Sequence, residues 1–514
     1  MSRFDPADLR SEATLADRDH ETMTVEAPFT GDEFATLPLG DERDVETAFD
    51  AAREAQGAWE ARDPAERADI LLEFHDLLFE ESGPLLDLMV EESGKARRHG
   101  YEELLDAALC ARHYAYRAEG YLADESRKSP MPGLVDVEVN YRAKGVVGVI
   151  SPWNYPLTLA VSDAVAALLA GNTVVLKPAE QTTYTALAAL RLLREAGLPR
   201  DVFHVVPGTG PDVGESLVAN SDYLCFTGSG ATGSIVAAQA GEHLIDCSLE
   251  LGGKNPAVVF PDADLDKAVR GLIRGCFTNA GQLCIAVERL YVHEDVRAEF
   301  TEKFVAAAER LDARAGDDWG VEMGSLVSAD QLEKVSSHVE DARDAGAEVL
   351  TGGEALPEVG PYFYAPTVLT DVTGEADLHD QETFGPVVSV YGFEDTDEVV
   401  ARANDSEYGL NASVWSGDAE RGREVARRID CGTANVNEAY APAFIAHDAP
   451  MGGMGDSGVG RRHGPDGFYR FTEPQTLATQ ERGEIDAPPG VPYKWYAAAM
   501  KRLLKAVRDV PGIR

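Results

Sequence analysis

Several short segments of this 514-residue chain place reactive side chain types beside a glycine or proline marker. Gly228-Ser229-Gly230-Ala231-Thr232-Gly233 is a GxGxxG after an apolar run and before a helical pattern. Glycines there let a backbone approach a pyrophosphate, whose charge the helix N-terminus meets. Read as an ordinary dinucleotide fingerprint, it makes Glu250, at the end of the next apolar run, the ribose ligand. Such glycine-rich turns are common, so the pattern alone does not define a site. Glu250 stands in LELGG, an otherwise apolar strand end followed by two glycines, where a cap or a ribose ligand is the ordinary reading and burial pushes a carboxyl group towards neutrality. Cys284 follows a Gly-Gln-Leu turn after the helical stretch LDKAVRGLIRGCFTNA. A single cysteine is most often a buried structural thiol; as a thiolate it attacks carbonyl carbon. Lys177 closes an apolar run, where an ammonium needs a partner or a ligand. Asn154, by itself, reads as a turn residue before Tyr-Pro.

The elements that must hold these residues alternate. Apolar runs at Val146–Ile150, Thr173–Leu176, Val202–Val206, Tyr223–Phe226 and Leu244–Leu249 are separated by helical stretches, which predicts parallel strands with right-handed crossovers in a doubly wound α/β domain. A second α/β series starts near Asn255, with runs at Ala257–Phe260, Leu290–Val292, Val387–Phe393 and Asn411–Trp415. The first ~120 residues read as helices packed around the first sheet. Val135–Arg142 alternates like a half-exposed strand suited to sheet extension or oligomer contact. No internal repeat or low-complexity linker stands out. After DAPPGVP, Tyr496, Met500, Leu503, Val507 and Val510 form one face of a basic amphipathic helix. Such a helix can lie on a membrane. On a chain this acidic, the expectation is docking on its own or a neighbouring subunit.

The length implies two or three domains. Against 46 basic residues stand 89 acidic ones, for a formal −43, which sets a repulsive field against nucleic acid. The balance fits an acidic enzyme of ordinary cytosol or, more sharply, a halophile in molar salt, where the Debye length is roughly 3 Å. The N-terminus lacks a signal pattern and no window approaches the ~20 apolar residues of a membrane span. Six cysteines without CxxC spacing fit free thiols in a reducing cytoplasm. The eleven histidines are scattered without HxxxH or HxxEH pairs, so a metal site has little support and none is expected.

Taken together, SPWNYP (Ser151–Pro156), GNTVVLKPAEQT (Gly171–Thr182), FTGS (Phe226–Ser229), LELGGKNP (Leu249–Pro256), NAGQLC (Asn279–Cys284) and ETFGPV (Glu382–Val387) resemble the aldehyde dehydrogenase superfamily in order and spacing, over roughly residues 25 to 480. The resemblance implies a Rossmann-type NAD-binding domain (1–122 and 143–252), an α/β catalytic domain (253–452), a small β oligomerisation extension (123–142 and 453–482) and a C-terminal amphipathic tail (483–514). It further implies Cys284 as the nucleophile, the Asn154 amide and the Cys284 N–H as oxyanion donors, and Glu250 as the base that activates water. Lys177 and Glu180 are then adenosine-ribose contacts. Thr227, Gly228, Ser229 and Gly233 face the pyrophosphate, with Leu251 beside them. Glu382 anchors the nicotinamide ribose, Phe384 lies beside the ring, Trp153 packs under the cofactor and Lys254 is structural. NAD is the implied cofactor, with NADP as the alternative, because a carboxylate at Glu180 repels a 2′-phosphate. A small-molecule aldehyde is the substrate, and a homodimer or homotetramer is the implied assembly.

PWNYPLTLAVSDAV, NAGQLCIAVERLYV, YGLNASVW and GDSGVGRRHG resemble a subgroup often labelled succinate-semialdehyde dehydrogenase. The better-characterised enzymes of that name carry two carboxylate-binding arginines where this chain has Thr278 and Ser162. Ala286 replaces their redox-partner cysteine and Gly455 a lysine. Succinic semialdehyde is the named candidate, and a broad aliphatic or aromatic aldehyde dehydrogenase is the alternative. A CoA-acylating enzyme and a catalytically silent binding protein are the readings from other classes; Glu250 argues against the first, the intact set Cys284, Asn154, Glu250, Lys177 and Glu382 against the second.

Overall fold

The computed structural model describes residues 3–129, 134–482 and 485–508. Its first sheet has six strands, in the order Gly458–Val459, Asp246–Glu250, Tyr223–Thr227, Val146–Ile150, Thr173–Lys177, Phe203–Val205. All run parallel except Gly458–Val459. Apolar residues on both sides of each strand make the sheet a buried middle layer. Val147, Val149, Val174 and Leu176 point into one core, while Val146, Val175, Leu224 and Phe226 point into another on the opposite face.

The chain moves outward from Val146–Ile150 through two strands, then returns to pair Tyr223–Thr227 on the other side. The strand order reverses there, and in open α/β sheets the crevice beyond the carboxyl ends at such a reversal is where ligands bind. Ser151–Asn154, Lys177, Thr227 and Glu250 all lie at or just beyond those ends.

The second sheet has seven strands, Glu348–Thr351, Thr367–Thr370, Val387–Phe393, Val287–His293, Asn255–Val259, Asn411–Trp415 and Thr433–Val436, parallel except for the first. A three-stranded antiparallel sheet, Thr472–Gln480, Val135–Ala143 and Glu125–Arg127, extends away from both. The segment before it also completes the first sheet, through Gly458–Val459 against Leu249 and Glu250.

Two expectations need correction. Within the first 120 residues, beside four long helices, lies a hairpin of Thr22–Ala27 and Asp32–Pro38. Its alternating Val25, Ala35 and Leu37 are buried against the helical core, a pattern that local helix-like composition masks. The tail does form a helix, Tyr493–Val507, but none of its described side chains is buried, so it does not dock on its own chain. Trp495 stays 64% exposed and Leu503 53%. Val510 lies outside the described residues.

Candidate active site

Cys284 is delivered by a strained turn. Asp264 caps the helix Leu265–Phe277 by accepting from the Lys267 N–H at 3.0 Å, and the chain then passes through Asn279, Ala280 and Gly281 with φ of 53°, 54° and 72°. Left-handed backbone costs a non-glycine residue roughly 1–2 kcal/mol. Asn279 offsets part of this with side-chain bonds to the Gln282 carbonyl (3.2 Å) and the Asn154 carbonyl (3.1 Å). Gly281 has no alternative, since a Cβ would stand 1.9 Å from the Gly385 carbonyl oxygen. Cys284 itself is clamped through its carbonyl, which accepts from Asn255 Nδ2 at 2.8 Å. Its thiol is pushed up to about 12 by burial and by the carboxylates of Glu382 and Glu250, against the pull of Arg462 and the Ile285 N–H. Alone it is a thiol, so it needs a base.

Asn154 is held by residues that its local sequence does not announce. Lys95 Nζ donates to the Asn154 carbonyl at 2.9 Å, pairs with Glu103 at 2.5 Å and sits 4.4 Å from the Tyr155 ring centroid. His99 is kept neutral, near 3, by burial and by the charge of Lys95, and its Nδ1 accepts the Asn279 N–H at 3.1 Å. This network ties the turn carrying Asn154 to the turn carrying Cys284. Asn154 Nδ2 donates one hydrogen to the Gln282 carbonyl at 3.1 Å. A side-chain amide has two, and the second is free for a developing oxyanion.

Glu250 lies behind the same point. It is 9% exposed, its Oε1 meets no protein partner, and burial pushes its carboxyl up to about 7 although Arg462 and Arg470 pull it down. Glu382 is also raised to about 7 by burial and by Glu288. It accepts the Gly253 N–H at 2.8 Å. Its loop is fixed by Glu288, which takes the Thr383 N–H at 3.1 Å and the Phe384 N–H at 3.0 Å and pairs with buried Lys254. Lys254 is thus structural. Phe384, at φ 57°, meets Trp153 edge to face with centroids 5.5 Å apart.

Trp153, Asn154, Thr227, Gly228, Ser229, Glu250, Leu251, Cys284, Glu382 and Phe384 converge on one cleft of about 190 Å³. Ser229 caps the helix Gly230–Glu242 by accepting the Thr232 N–H at 3.3 Å, so the positive end of a 13-residue helix lies against that cleft. These residues fit a dinucleotide: backbone and a helix end for phosphates, Glu382 for ribose hydroxyls, and two aromatic rings for a planar base. Three of the candidates are not in the lining. Gly233 is buried where a Cβ would stand 2.5 Å from Leu251 Cδ2, so its smallness serves helix–strand packing. Lys177 and Glu180 lie at the end of the neighbouring strand, paired with each other at 3.2 Å. Lys177 also donates to the Pro178 carbonyl at 2.9 Å.

On the far side of Cys284 is a second, tighter chamber of about 40 Å³, sharing Asn154, Thr227, Glu250 and Cys284 with the first. Its walls are apolar, among them Tyr155, Leu159, Ile285, Leu410 and Phe444, and one end is polar: Asp106, Thr158, Arg462 and His463. Thr278 and Ser162 are not in this lining. Thr278 accepts from the Tyr440 hydroxyl at 3.1 Å, and Ser162 shares a hydrogen bond of 2.8 Å with Thr158. Arg289 and Arg461 spend their guanidinium groups on backbone carbonyls. Arg462 is therefore the cation facing Cys284 across the chamber, with its Nε 3.1 Å from Asp163 Oδ1. Sequence reasoning missed it, as it missed Lys95, Glu103, His99 and Asp106; the one signal available was a run of basic residues, RRH, after a glycine-rich turn.

A reversed parallel sheet, a cleft beyond its strand ends whose residues fit a dinucleotide, and a buried thiol and carboxyl in its lining are the features of an α/β oxidoreductase. The aldehyde dehydrogenase family model matches residues 15–477, and the chain belongs to that family. It is 50% identical over 505 residues to the protein of Mycobacterium ulcerans named "Putative succinate-semialdehyde dehydrogenase [NADP(+)] 2", covering 98% of each. Among solved structures it resembles an NAD+ complex of an aldehyde dehydrogenase from Bacillus cereus (TM-score 0.86, 36% identity, 90% of this chain and 93% of that one). It also resembles betaine aldehyde dehydrogenase from Staphylococcus aureus in complex with NAD+ (TM-score 0.87, 29% identity, 94% and 98%).

Proposed function

We propose that this protein oxidises a semialdehyde, with succinic semialdehyde as the named candidate, to the carboxylate with NAD(P)+. The carrying observation is that Glu250, buried and unpartnered at Oε1, lines both the cleft and the chamber together with Cys284 and Asn154. Glu250 takes the thiol proton and Cys284 Sγ bonds to the aldehyde carbon. The carbonyl π pair moves to oxygen, held by Asn154 Nδ2 and the Cys284 N–H. NAD(P)+ supplies the hydride acceptor. As the C–H pair leaves, the carbonyl re-forms as a thioester on Cys284. Glu250 passes the thiol proton to solvent and, ionised again, takes a proton from water, whose oxygen attacks the thioester carbon; the C–S bond breaks, the Cys284 thiolate leaves and regains a proton from Glu250, and the acid is released. Trp153, Thr227, Gly228, Ser229, Leu251, Glu382 and Phe384 bind the dinucleotide. Lys177 and Glu180 extend that site to the adenosine ribose, and Gly233 shapes it by packing.

Two supports favour a substrate with a distal carboxylate: Arg462 at the polar end of the chamber, and the printed name of the mycobacterial relative. Glu180 favours NAD+, whereas that name carries NADP+. The exposed edge strand Thr472–Gln480 suits a homodimer or homotetramer, and free thiols suit the cytoplasm. The acidic surface suits molar salt. Among the described residues no helix is long and apolar enough to cross a membrane.

The experiment is NADH or NADPH absorbance with an aldehyde panel, with and without CoA, in dilute buffer and in molar KCl. The expected result is CoA-independent turnover that needs high salt, is abolished in Cys284→Ala, and leaves dinucleotide binding to that variant intact. Turnover by Cys284→Ala, or acyl-CoA as the product, overturns the mechanism; equal activity in dilute buffer overturns the halophilic reading.

A further inference from the structure

We infer that Asp106, His447 and His463 form a binding site for one divalent transition-metal ion of the zinc class. No spacing signal joins these residues: Asp106 lies on the long helix Arg97–Leu122, His447 in the loop after Ala441–Phe444, and His463 ahead of Gly464–Tyr469. The fold nevertheless brings one potential ligand atom from each within 4.8 Å of the other two. Asp106 Oδ1 and His447 Nε2 are 3.4 Å apart, and the two imidazole centroids 4.6 Å. A tetrahedron of ~2.0–2.1 Å bonds has edges of roughly 3.3 Å, so the first pair already stands at a coordinating separation.

Three further observations point to a ligand. Asp106, His447 and His463 are only 3%, 6% and 5% exposed, yet Asp106 Oδ1, both nitrogens of His447 and His463 Nδ1 have no hydrogen-bond partner in the protein. Buried polar atoms are left unpaired only for a reason, and here all three residues that contribute them converge on one place. The second oxygen of Asp106 is held by the Thr158 hydroxyl at 2.5 Å, which fixes the carboxylate as an outer partner fixes a metal ligand. The scaffold is also braced. His463 sits at φ 59°, a conformation that costs a non-glycine residue, and is kept there by backbone bonds from Gly467 N–H to its carbonyl (2.8 Å) and from Gly464 N–H to the His447 carbonyl (2.7 Å).

Two imidazoles and one carboxylate suit zinc-like ions rather than magnesium or calcium, which take oxygen. Arg462 and Arg470 stand nearby, but both are paired with Asp163, at 3.1 and 2.5 Å, which reduces their repulsion of a cation. Asp106 and His463 also line the chamber that holds Cys284. The fourth coordination position therefore opens towards that chamber, the arrangement of a metal site that accepts an exchangeable ligand.

The test uses the full chain in a Cys284→Ala background, so that the active-site thiol cannot compete for metal. Protein stripped with EDTA is reloaded with Zn²⁺, counted by elemental analysis after gel filtration, and examined by zinc-edge X-ray absorption. We expect one zinc per chain, a shell of nitrogen and oxygen with two imidazoles and no sulfur, and a raised melting temperature. In His447→Gln or Asp106→Asn, affinity should fall at least tenfold and the thermal shift should vanish. Failure of the stripped protein to take up zinc, sulfur in the shell, or equal binding by the variants overturns the site. If either variant does not fold, the absorption shell of the unsubstituted cluster still decides.

Discussion

The two sides of Cys284 are built on different principles. The cofactor cleft draws on runs of adjacent residues, Trp153-Asn154, Thr227-Gly228-Ser229 and Glu250-Leu251-Gly252, each at a strand end of one sheet. The substrate chamber adds side chains from scattered places: Asp106 from the helix Arg97–Leu122, Ile285 from a turn, Phe444 from the short helix Ala441–Phe444, and Met451 and Arg462 from loops. A ligand gripped by backbone and helix ends constrains whole segments. A ligand gripped by side chains constrains isolated positions, which can change while the segments stay. Thr278 and Ser162, which stand where carboxylate-binding arginines were expected, lie outside the chamber lining, and Arg462 is the cation within it.

The comparison can be broken most sharply at Glu250, one of the residues both sides share. Glu250→Gln keeps the shape of the side chain but cannot take a proton from water, so steady-state turnover should fall ~10²–10⁴-fold. A burst of up to one NAD(P)H per site should remain, with acyl-enzyme detectable by mass on the Cys284 peptide. Because burial puts the native carboxyl near 7, only the ionised form serves as base, and native kcat should rise with pH through about 7 and then level. The variant should lose that limb. A raised KM for dinucleotide with unchanged kcat would instead make Glu250 a ribose ligand.

Arg462→Gln probes the chamber alone. A hydrogen bond to a charged group contributes about 1.5–3 kcal/mol, so kcat/KM for succinic semialdehyde should fall roughly 10- to 100-fold relative to butyraldehyde, with dinucleotide KM unmoved. Asp163 retains Arg470, which limits the structural damage, and a melting curve checks it. Parallel losses on both aldehydes would assign Arg462 to architecture.

The smallest effect belongs to the outer edge of the cofactor side. Glu180→Gln should raise the NADP+/NAD+ ratio of kcat/KM by less than about tenfold, because Lys177 at 3.2 Å already offsets part of the carboxylate's repulsion of a 2′-phosphate. An unchanged ratio means that Glu180 does not meet the ribose.

The sequence by itself determined the alternation of strands and helices, since buried parallel strands must be apolar on both faces and end in turns. Val146–Ile150 and Val387–Phe393 form with the bounds read from composition alone. Short motifs, read together as a family resemblance, singled out Cys284, Asn154 and Glu250 as candidates, and the fold brings the three to one place. Tertiary structure decided everything that depends on contacts between distant segments. Gly233, read as a phosphate contact, packs on Leu251 because helix and strand approach too closely for a Cβ. The hairpin Thr22–Ala27 and Asp32–Pro38 exists because its buried face has a helical core to lie on. The Lys95–Glu103–Asn154 network and the meeting of Asp106, Arg462, His447 and His463 join residues that share no periodicity. Burial and partner choice are properties of the assembled interior, and no local pattern encodes them.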